Sequence, residues 1–423
     1  MSRHLESQLI HPAGDGDPRF GDVVAPIHLT TTYAQEAFGQ PIRYDYSRGG
    51  NPSRQVVEDQ IAALEGGVGG LAFASGMAAI TAVLSLFNPG DELLIPTNIY
   101  GGSFRILDRY FKRYGLGYRF VDVCDPSAVA AAFSQEGGNT AAGTAGGGDA
   151  ADGADGGAAA DGATGRRAGS TPSSHQPRHA AALFFESPTN PLLSVADIAA
   201  LADIAHAHGA LAIVDNTFLT PWLQRPLKLG ADIVVHSATK YLGGHSDVLA
   251  GLVAVRDKDL HQRLHFIQYS TGGVLSPFDS YLLVRGIKTL AVRLDRQVAS
   301  AGELARWLQE QPQIARVIYP GLPEHPGFAL QQRQASGAGA LLAFELTEGK
   351  DVEKFAQRLN LITLAESLGA VESLICHPAT MTHASIPADL RAQMGITDAC
   401  LRLSVGLEHV DDLKADIAQA LAG

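Results

Sequence analysis

Short apolar runs alternate with stretches of helical spacing from residue 55 onward. Gln55–Glu65 carries Val56, Val57, Ile61 and Leu64 on one side, which predicts a helix ended by Gly66–Gly67. Leu71–Ala74 is a short apolar run. Met77–Phe87 predicts an apolar helix stopped by Asn88–Pro89–Gly90. The same reading gives strands at Glu92–Pro96, Tyr118–Val123, Ala181–Phe185, Ala210–Val214, Ile233–Val235 and Gly251–Val255, with helices at Ser103–Tyr114 and Val195–His208. Strands alternating with helices predict an α/β fold with a mostly parallel sheet covered on both faces. Ser280–Gln309 reads as one long helical pattern. Beyond it, strands at Leu341–Leu346 and Cys400–Val405 and helices at Asp351–Leu359 and Asp411–Leu421 predict a smaller α+β domain. The expected division is an extended N-terminal arm over 1–60, an α/β domain over 61–295 and the α+β domain over 296–423.

One stretch breaks the pattern. Residues 135–178 are dominated by Gly and Ala with scattered Asp, and offer no periodic apolar face to bury. They are expected to form a flexible insertion within the α/β domain, a tolerated surface loop rather than a partner tether.

Composition narrows the function classes. The 423-residue chain is 46% hydrophobic and 18% charged, with a net charge of −12, so no basic surface is on offer for nucleic acid. Apolar runs fall well short of the ~20 residues that cross a bilayer, and no signal-peptide stretch opens the chain, which argues against a membrane partner. Three separated cysteines (Cys124, Cys376 and Cys400) give neither a disulfide framework nor a CxxC site. A cytoplasmic protein is expected. His261 and His265 have the i,i+4 spacing of a metal pair, yet no Glu lies between them in the metalloprotease arrangement. A solvated helix face is the expectation there, with no metal site.

The unusual polar residues fall at strand ends, where open α/β sheets bind ligands. Asp215 closes the apolar run Ala210–Val214, and a carboxylate there needs a cationic partner. Lys240 follows the Ile233–Val235 strand behind Ser237 and Thr239. Ser75-Gly76-Met77 opens a helix whose free N–H groups suit a phosphate. An amine, a carboxylate and an anion seat together fit pyridoxal 5'-phosphate: aldehyde to lysine, ring nitrogen to carboxylate, phosphate to N–H groups and hydroxyls. A binding protein that kept the fold without the chemistry is the rival reading, and the retention of Lys240, Asp215 and Arg402 argues against it.

Tyr44-Asp45-Tyr46-Ser47-Arg48, Asn51-Pro52-Ser53-Arg54, Ser75-Gly76-Met77-Ala78-Ala79, Tyr100-Gly101-Gly102-Ser103, Glu186-Ser187-Pro188-Thr189-Asn190-Pro191, Val214-Asp215-Asn216-Thr217-Phe218, Ser237-Ala238-Thr239-Lys240-Tyr241, Gly244-His245-Ser246-Asp247 and Ala365-Glu366-Ser367-Leu368-Gly369 follow one another along the chain. In this order they resemble the Cys/Met-metabolism pyridoxal-phosphate enzymes, from about residue 8 to the end. The resemblance implies a fold type I, aspartate aminotransferase-like architecture. It implies Lys240 as the cofactor-bound and proton-moving amine, Asp215 on the pyridine nitrogen, and Tyr100 stacked on the ring and assisting deprotonation, these three being the expected catalytic residues. Gly76, Met77, Ser237 and Thr239 are then expected at the phosphate, with Asn190 and Thr217 also at the cofactor. Tyr46 and Arg48 would reach in from a neighbouring subunit of a homotetramer built from dimers that share active sites. Arg402 is expected to grip the carboxylate of a small amino-acid substrate with help from Ser367.

Asp45, Arg105 and Glu366 are expected on the substrate side. Glu366, just before Ser367, is similar to the γ-specific members, whereas the β-lyases tend to carry an aromatic residue there. Gly102 departs from the methionine γ-lyase pattern, which has cysteine at that place. Gly49 stands where some members that use O-succinylhomoserine have a second arginine, which leaves the acyl group open. The resemblance implies γ-replacement, joining O-succinylhomoserine or O-acetylhomoserine to cysteine as cystathionine. Its alternative is γ-cleavage of cystathionine to cysteine, 2-oxobutanoate and ammonia.

Overall fold

The computed structural model describes residues 3–13, 16, 20–135, 180–384 and 388–422. The insertion read over 135–178 therefore lies, but for its first residue, outside the described residues.

The larger sheet has seven strands: β1 (Gly69–Phe73), β2 (Glu92–Pro96), β3 (Gly117–Val121), β4 (Ala180–Glu186), β5 (Leu211–Asp215), β6 (Ile233–Ser237) and β7 (Gly251–Val255). Their spatial order is β1-β7-β6-β5-β4-β2-β3. The pairings from β6 through β3 are parallel, and β7 alone runs antiparallel to both neighbours. Strands buried on both faces read as continuous apolar runs, and here alternate residues feed two cores. Leu183, Phe185 and Val214 pack into one, while Phe184, Ile213 and Val235 pack into the other.

Local chemistry sets where the covering helices begin and end. Asn51 caps Pro52–Glu65 by accepting from the Ser53 and Arg54 amides, Pro52 stands at its first turn, and Gly66 at φ 79° ends it. Ser75 caps Gly76–Leu84 by accepting from the Ala78 amide at 3.1 Å. The smaller sheet holds β8 (Ile314–Ile318), β9 (Leu341–Leu346), β10 (Thr363–Leu364), β11 (Leu374–Cys376) and β12 (Cys400–Ser404) in the order β8-β9-β12-β11-β10. Its central strand, β12, is buried along its whole length.

Three expectations change in detail. The single pattern over Ser280–Gln309 is two helices, Pro277–Ile287 and Leu290–Gln309. One residue before the first helix ends, Gly286 packs against the turn after Lys240, where a Cβ would lie 2.3 Å from the Gly243 carbonyl oxygen. The freed Gly286 carbonyl accepts from Arg293 Nη2 at 2.9 Å and from Thr289 Oγ1 at 3.1 Å. Ser103–Tyr114 divides into the α-helix Gly101–Arg109 and a 3₁₀ turn, Phe111–Tyr114, closed by Gly115 at φ 88°. The arm is not uniformly extended. It contains the helix Leu5–Ile10, tied down where Gln60 Nε2 donates to the Leu9 carbonyl at 2.9 Å, and a short ladder between Gln35–Ala37 and Gln40–Pro41. Strands β8, β10 and β11 had no sequence signal, because β10 and β11 are two and three residues long and β8 is half exposed.

Candidate active site

Glu186, Asp215 and Ser237 are the last residues of β4, β5 and β6, and Ser75 follows β1, so four strand ends converge on one edge of the sheet. A cavity of about 210 Å³ opens there, closed from the smaller sheet by Arg402 and the segment 366–368. Lys240 and Asp215 both line it.

Lys240 Nζ donates to Ser367 Oγ at 2.9 Å. Burial, then the nearby Arg402 guanidinium, lowers its amine to about 8, since both disfavour a second cation in the cavity. Ser367 is a non-glycine residue at φ 98°, and backbone strain of this kind persists only where surrounding contacts fix it. Its carbonyl accepts from Arg402 Nη2 at 2.8 Å, and Arg402 Nη1 donates to Asn190 Oδ1 at 3.0 Å. Arg402 is only 3% exposed, and its Nε is buried with no partner. It sits mid-strand in β12, opposite Ala343 of β9 and Cys376 of β11.

Asp215 faces Glu186 as its register partner across β4 and β5. Burial pushes both carboxyls up; the Thr217 hydroxyl and amide, which donate to Asp215, hold that group back. The Thr217 hydroxyl also accepts from the Ser237 amide at 2.8 Å, tying the ends of β5 and β6 together. Glu186 Oε1 accepts from the Tyr100 amide at 2.6 Å and Oε2 from the Asn190 amide at 3.2 Å. Tyr100 stands at the start of Gly101–Arg109, 37% exposed at the cavity wall. Burial raises its phenol, and the nearby Arg105 charge opposes the shift.

The anionic end of a cofactor has a seat. The nine-residue helix Gly76–Leu84 starts at the cavity, where its first N–H groups lack intrahelical partners. A Cβ at Gly76 would come within 3.0 Å of Ser237 Cβ and Oγ, so the backbone approach needs glycine. An amine, a carboxylate at a second wall, an N–H- and hydroxyl-lined recess and a buried guanidinium with an unused donor together fit pyridoxal phosphate carrying an amino acid.

Of the residues expected at the site, Gly76, Met77, Tyr100, Asn190, Asp215, Thr217, Ser237, Thr239, Lys240, Glu366, Ser367 and Arg402 share this cavity. Asp45, Tyr46, Arg48 and Arg105 do not line it. The first three lie on the arm, where the Arg48 guanidinium sits 5.3 Å from the Tyr46 ring centroid and 5.0 Å from that of Tyr269. Glu186 and Thr382 line the cavity without having been singled out. For Glu186 the signal existed: an acidic residue closes an apolar run, as with Asp215. Thr382 lies in Thr380-Met381-Thr382-His383-Ala384, a run that resembles the family's γ-specific members but gave no single residue a role. His261 and His265 lie in the helix Lys258–Thr271, ring centroids 6.3 Å apart, and His265 Nε2 is 3.2 Å from the Gly49 carbonyl. Among the described residues no group of three His, Cys, Asp or Glu is placed to hold a metal, and no helix is long and apolar enough to cross a membrane.

Known proteins share the sequence and fold of this chain over nearly its whole length. The chain is 45% identical to the cystathionine beta-lyase of Lactococcus lactis subsp. cremoris over 99% of its own length and 98% of that protein's. It is 43% identical to the cystathionine gamma-synthase/O-acetylhomoserine (thiol)-lyase of Bacillus subtilis, over 100% and 97%. Its structure superposes on cystathionine gamma-lyase from Lactobacillus plantarum, crystallised with L-serine, with a TM-score of 0.87 and 42% identity over 99% of each chain. Such neighbours place the mostly parallel sheet in the fold type I class. With residues 6–142 and 167–422 matching the Cys/Met metabolism PLP-dependent enzymes, the chain belongs to that family and takes pyridoxal phosphate as its cofactor.

Proposed function

We propose that the enzyme acts at Cγ, joining O-succinylhomoserine or O-acetylhomoserine to cysteine to form cystathionine. Lys240 would hold the cofactor by its aldehyde, Asp215 by its ring nitrogen, and Gly76, Met77, Ser237 and Thr239 by its phosphate. When bound, pyridoxal phosphate supplies the electron sink that makes a Cα proton removable.

The chain's own groups do the rest. Arg402 binds the substrate carboxylate in its fork, using the Nε left free in the protein. Lys240, with its amine lowered to about 8, is basic enough to take a proton at Cα and neutral often enough near pH 8 to do so. Ser367 Oγ sits 2.9 Å from that amine and holds it between transfers. Tyr100, a phenol kept protonated by burial, covers the ring. Arg105 lies close enough to Tyr100 to act on its charge, and with Asp45 it would border the substrate entrance. Tyr46 and Arg48 would complete the phosphate seat of a second copy, in a homotetramer of dimers. Their exposed position on the arm, away from their own cavity, supports that reading. Free thiols at Cys124, Cys376 and Cys400 support a reducing, cytoplasmic setting.

The observation that carries the Cγ assignment is Glu366, a carboxylate lining the cavity beside Ser367, at the place where an acid resembles the γ-specific members. An acid there also suits the ammonium of a second amino acid, a group that β-cleavage of cystathionine presents as well, so the identity of the product decides which carbon reacts. Cleavage of cystathionine is the second reading, favoured by the lyase names of similar proteins. Product analysis separates them. Faster cystathionine formation from acyl-homoserine and cysteine than cystathionine breakdown supports synthesis. Breakdown that is faster and yields 2-oxobutanoate supports γ-cleavage, and pyruvate as the product overturns chemistry at Cγ.

A further inference from the structure

Glu186 takes no part in the chemistry above, yet it is buried at the centre of the site. A carboxylate is costly to bury, and its strand neighbours Phe184 and Phe185 show that the position could be apolar. Its two oxygens accept from two different site segments: Oε1 from the Tyr100 amide at 2.6 Å, Oε2 from the Asn190 amide at 3.2 Å. The connection continues. Asn190 Oδ1 accepts from Arg402 Nη1 at 3.0 Å, Arg402 Nη2 donates to the Ser367 carbonyl at 2.8 Å, and Ser367 Oγ accepts from Lys240 Nζ at 2.9 Å. One unbroken series of contacts thus runs from Tyr100 through Glu186 to Lys240.

We propose that Glu186 is a positioning residue that locks the aromatic cover, Tyr100, to the carboxylate grip, Arg402, through its bonds to the Tyr100 and Asn190 amides. The inference rests on Arg402 being that grip. Glu186 itself touches neither reacting atoms nor substrate carboxylate; it fixes the turn that presents Asn190, and Asn190 fixes the plane of the guanidinium. Arg402 Nη1 has Asn190 as its partner, so a displaced Asn190 leaves the fork held at one end, by the Ser367 carbonyl, and able to tilt about that bond. A grip that is out of plane loses one of its two parallel bonds to a carboxylate.

Two small amines that differ only in a carboxylate isolate this effect. Glycine and methylamine are titrated into the holoenzyme, with binding read from the cofactor's visible absorption. Loss of one charge-assisted bond predicts that Glu186→Leu and Asn190→Ala each lower the preference for glycine about tenfold. Because both act through the same contact, the double variant should lower it no further. Independent effects would instead multiply to roughly a hundredfold, and that result overturns the proposal. So does an equal loss for both amines, which is what mere disruption of packing gives, and so does no loss. Should Glu186→Leu fail to retain cofactor, Glu186→Gln takes its place in the same cycle under the same criteria. Arg402→Gln provides the reference. If it leaves the glycine preference intact, the assignment of Arg402 falls and the brace with it. If it abolishes the preference while the Glu186 variants do not, the brace alone falls.

Discussion

Lys240 Nζ rests 2.9 Å from Ser367 Oγ, and Ser367 is held at φ 98° to put its hydroxyl there. That conformation costs a non-glycine residue on the order of 1 kcal/mol or more, and glycine much less. Ser367→Gly and Ser367→Ala both remove the hydroxyl, but only the first relieves the backbone. Urea denaturation should therefore find Ser367→Gly more stable than Ser367→Ala by about 1 kcal/mol. The reverse order would show that the backbone there is unstrained.

The lowered amine of Lys240 has a direct kinetic reading. Only the neutral amine attacks an aldehyde, so capture of pyridoxal phosphate by the cofactor-free enzyme should speed up as pH rises through about 8. Burial is the larger cause and the Arg402 cation the second, and the cation acts by disfavouring protonated lysine. Removing it in Arg402→Gln should move the midpoint upward, still short of a free lysine. A stopped-flow pH profile with an unmoved or lowered midpoint would reject this account.

Glu366 is assigned to the second amino acid. In Glu366→Gln the charge-assisted contact to an ammonium is lost, so the KM for cysteine in synthesis, or for cystathionine in cleavage, should rise about tenfold. The KM for the acyl-homoserine, held by Arg402, should change far less. Steady-state kinetics with each substrate varied in turn decides, and equal rises for cysteine and the acyl-homoserine would remove Glu366 from this role.

Away from the cavity, Glu65 at the end of Pro52–Glu65 is fully buried and accepts from Asn216 Nδ2 at 3.1 Å, with His236 Nε2 at 2.8 Å. These contacts pin the helix beneath the ends of β5 and β6. Glu65→Ala takes away the partner of His236 Nε2 and one of the two acceptors of Asn216 Nδ2, which keeps the Gln224 carbonyl, and should destabilise the protein by roughly 3 kcal/mol. Glu65→Gln, which keeps one acceptor, should cost about half as much. Thermal or urea unfolding of the two variants provides the comparison, and a loss below that of a surface substitution would contradict it.

Much of this was legible in the chain, for physical reasons that differ from residue to residue. Asp215 and Lys240 are each ordinary alone, a cap or turn residue and a surface lysine, and stand out through their order and spacing with Ser75-Gly76-Met77 in one α/β pattern. Strand periodicity carries no direction, so nothing in Gly251–Val255 announced that it runs antiparallel between β1 and β6. The long pattern divides at Lys288–Thr289 beside Gly286, which packs against a carbonyl 43 positions earlier in the chain, a contact that local spacing does not encode. Glu186 was legible by the same rule as Asp215. Its partners, Tyr100 and Asn190, became visible only with the fold.

Gly251 lies in register with both Phe73 of β1 and Ser237 of β6, and a Cβ there would come 2.2 Å from the Ser75 carbonyl oxygen. A hydrogen atom in place of a methyl group thus gauges the width between the two turns proposed to cup the phosphate. Glu366, proposed to choose the second amino acid, arrives from the side of the other sheet and bears on no part of that gauge. A substitution at Glu366 would therefore change which partner amino acid is accepted and leave the proposed hold on the vitamin as it is.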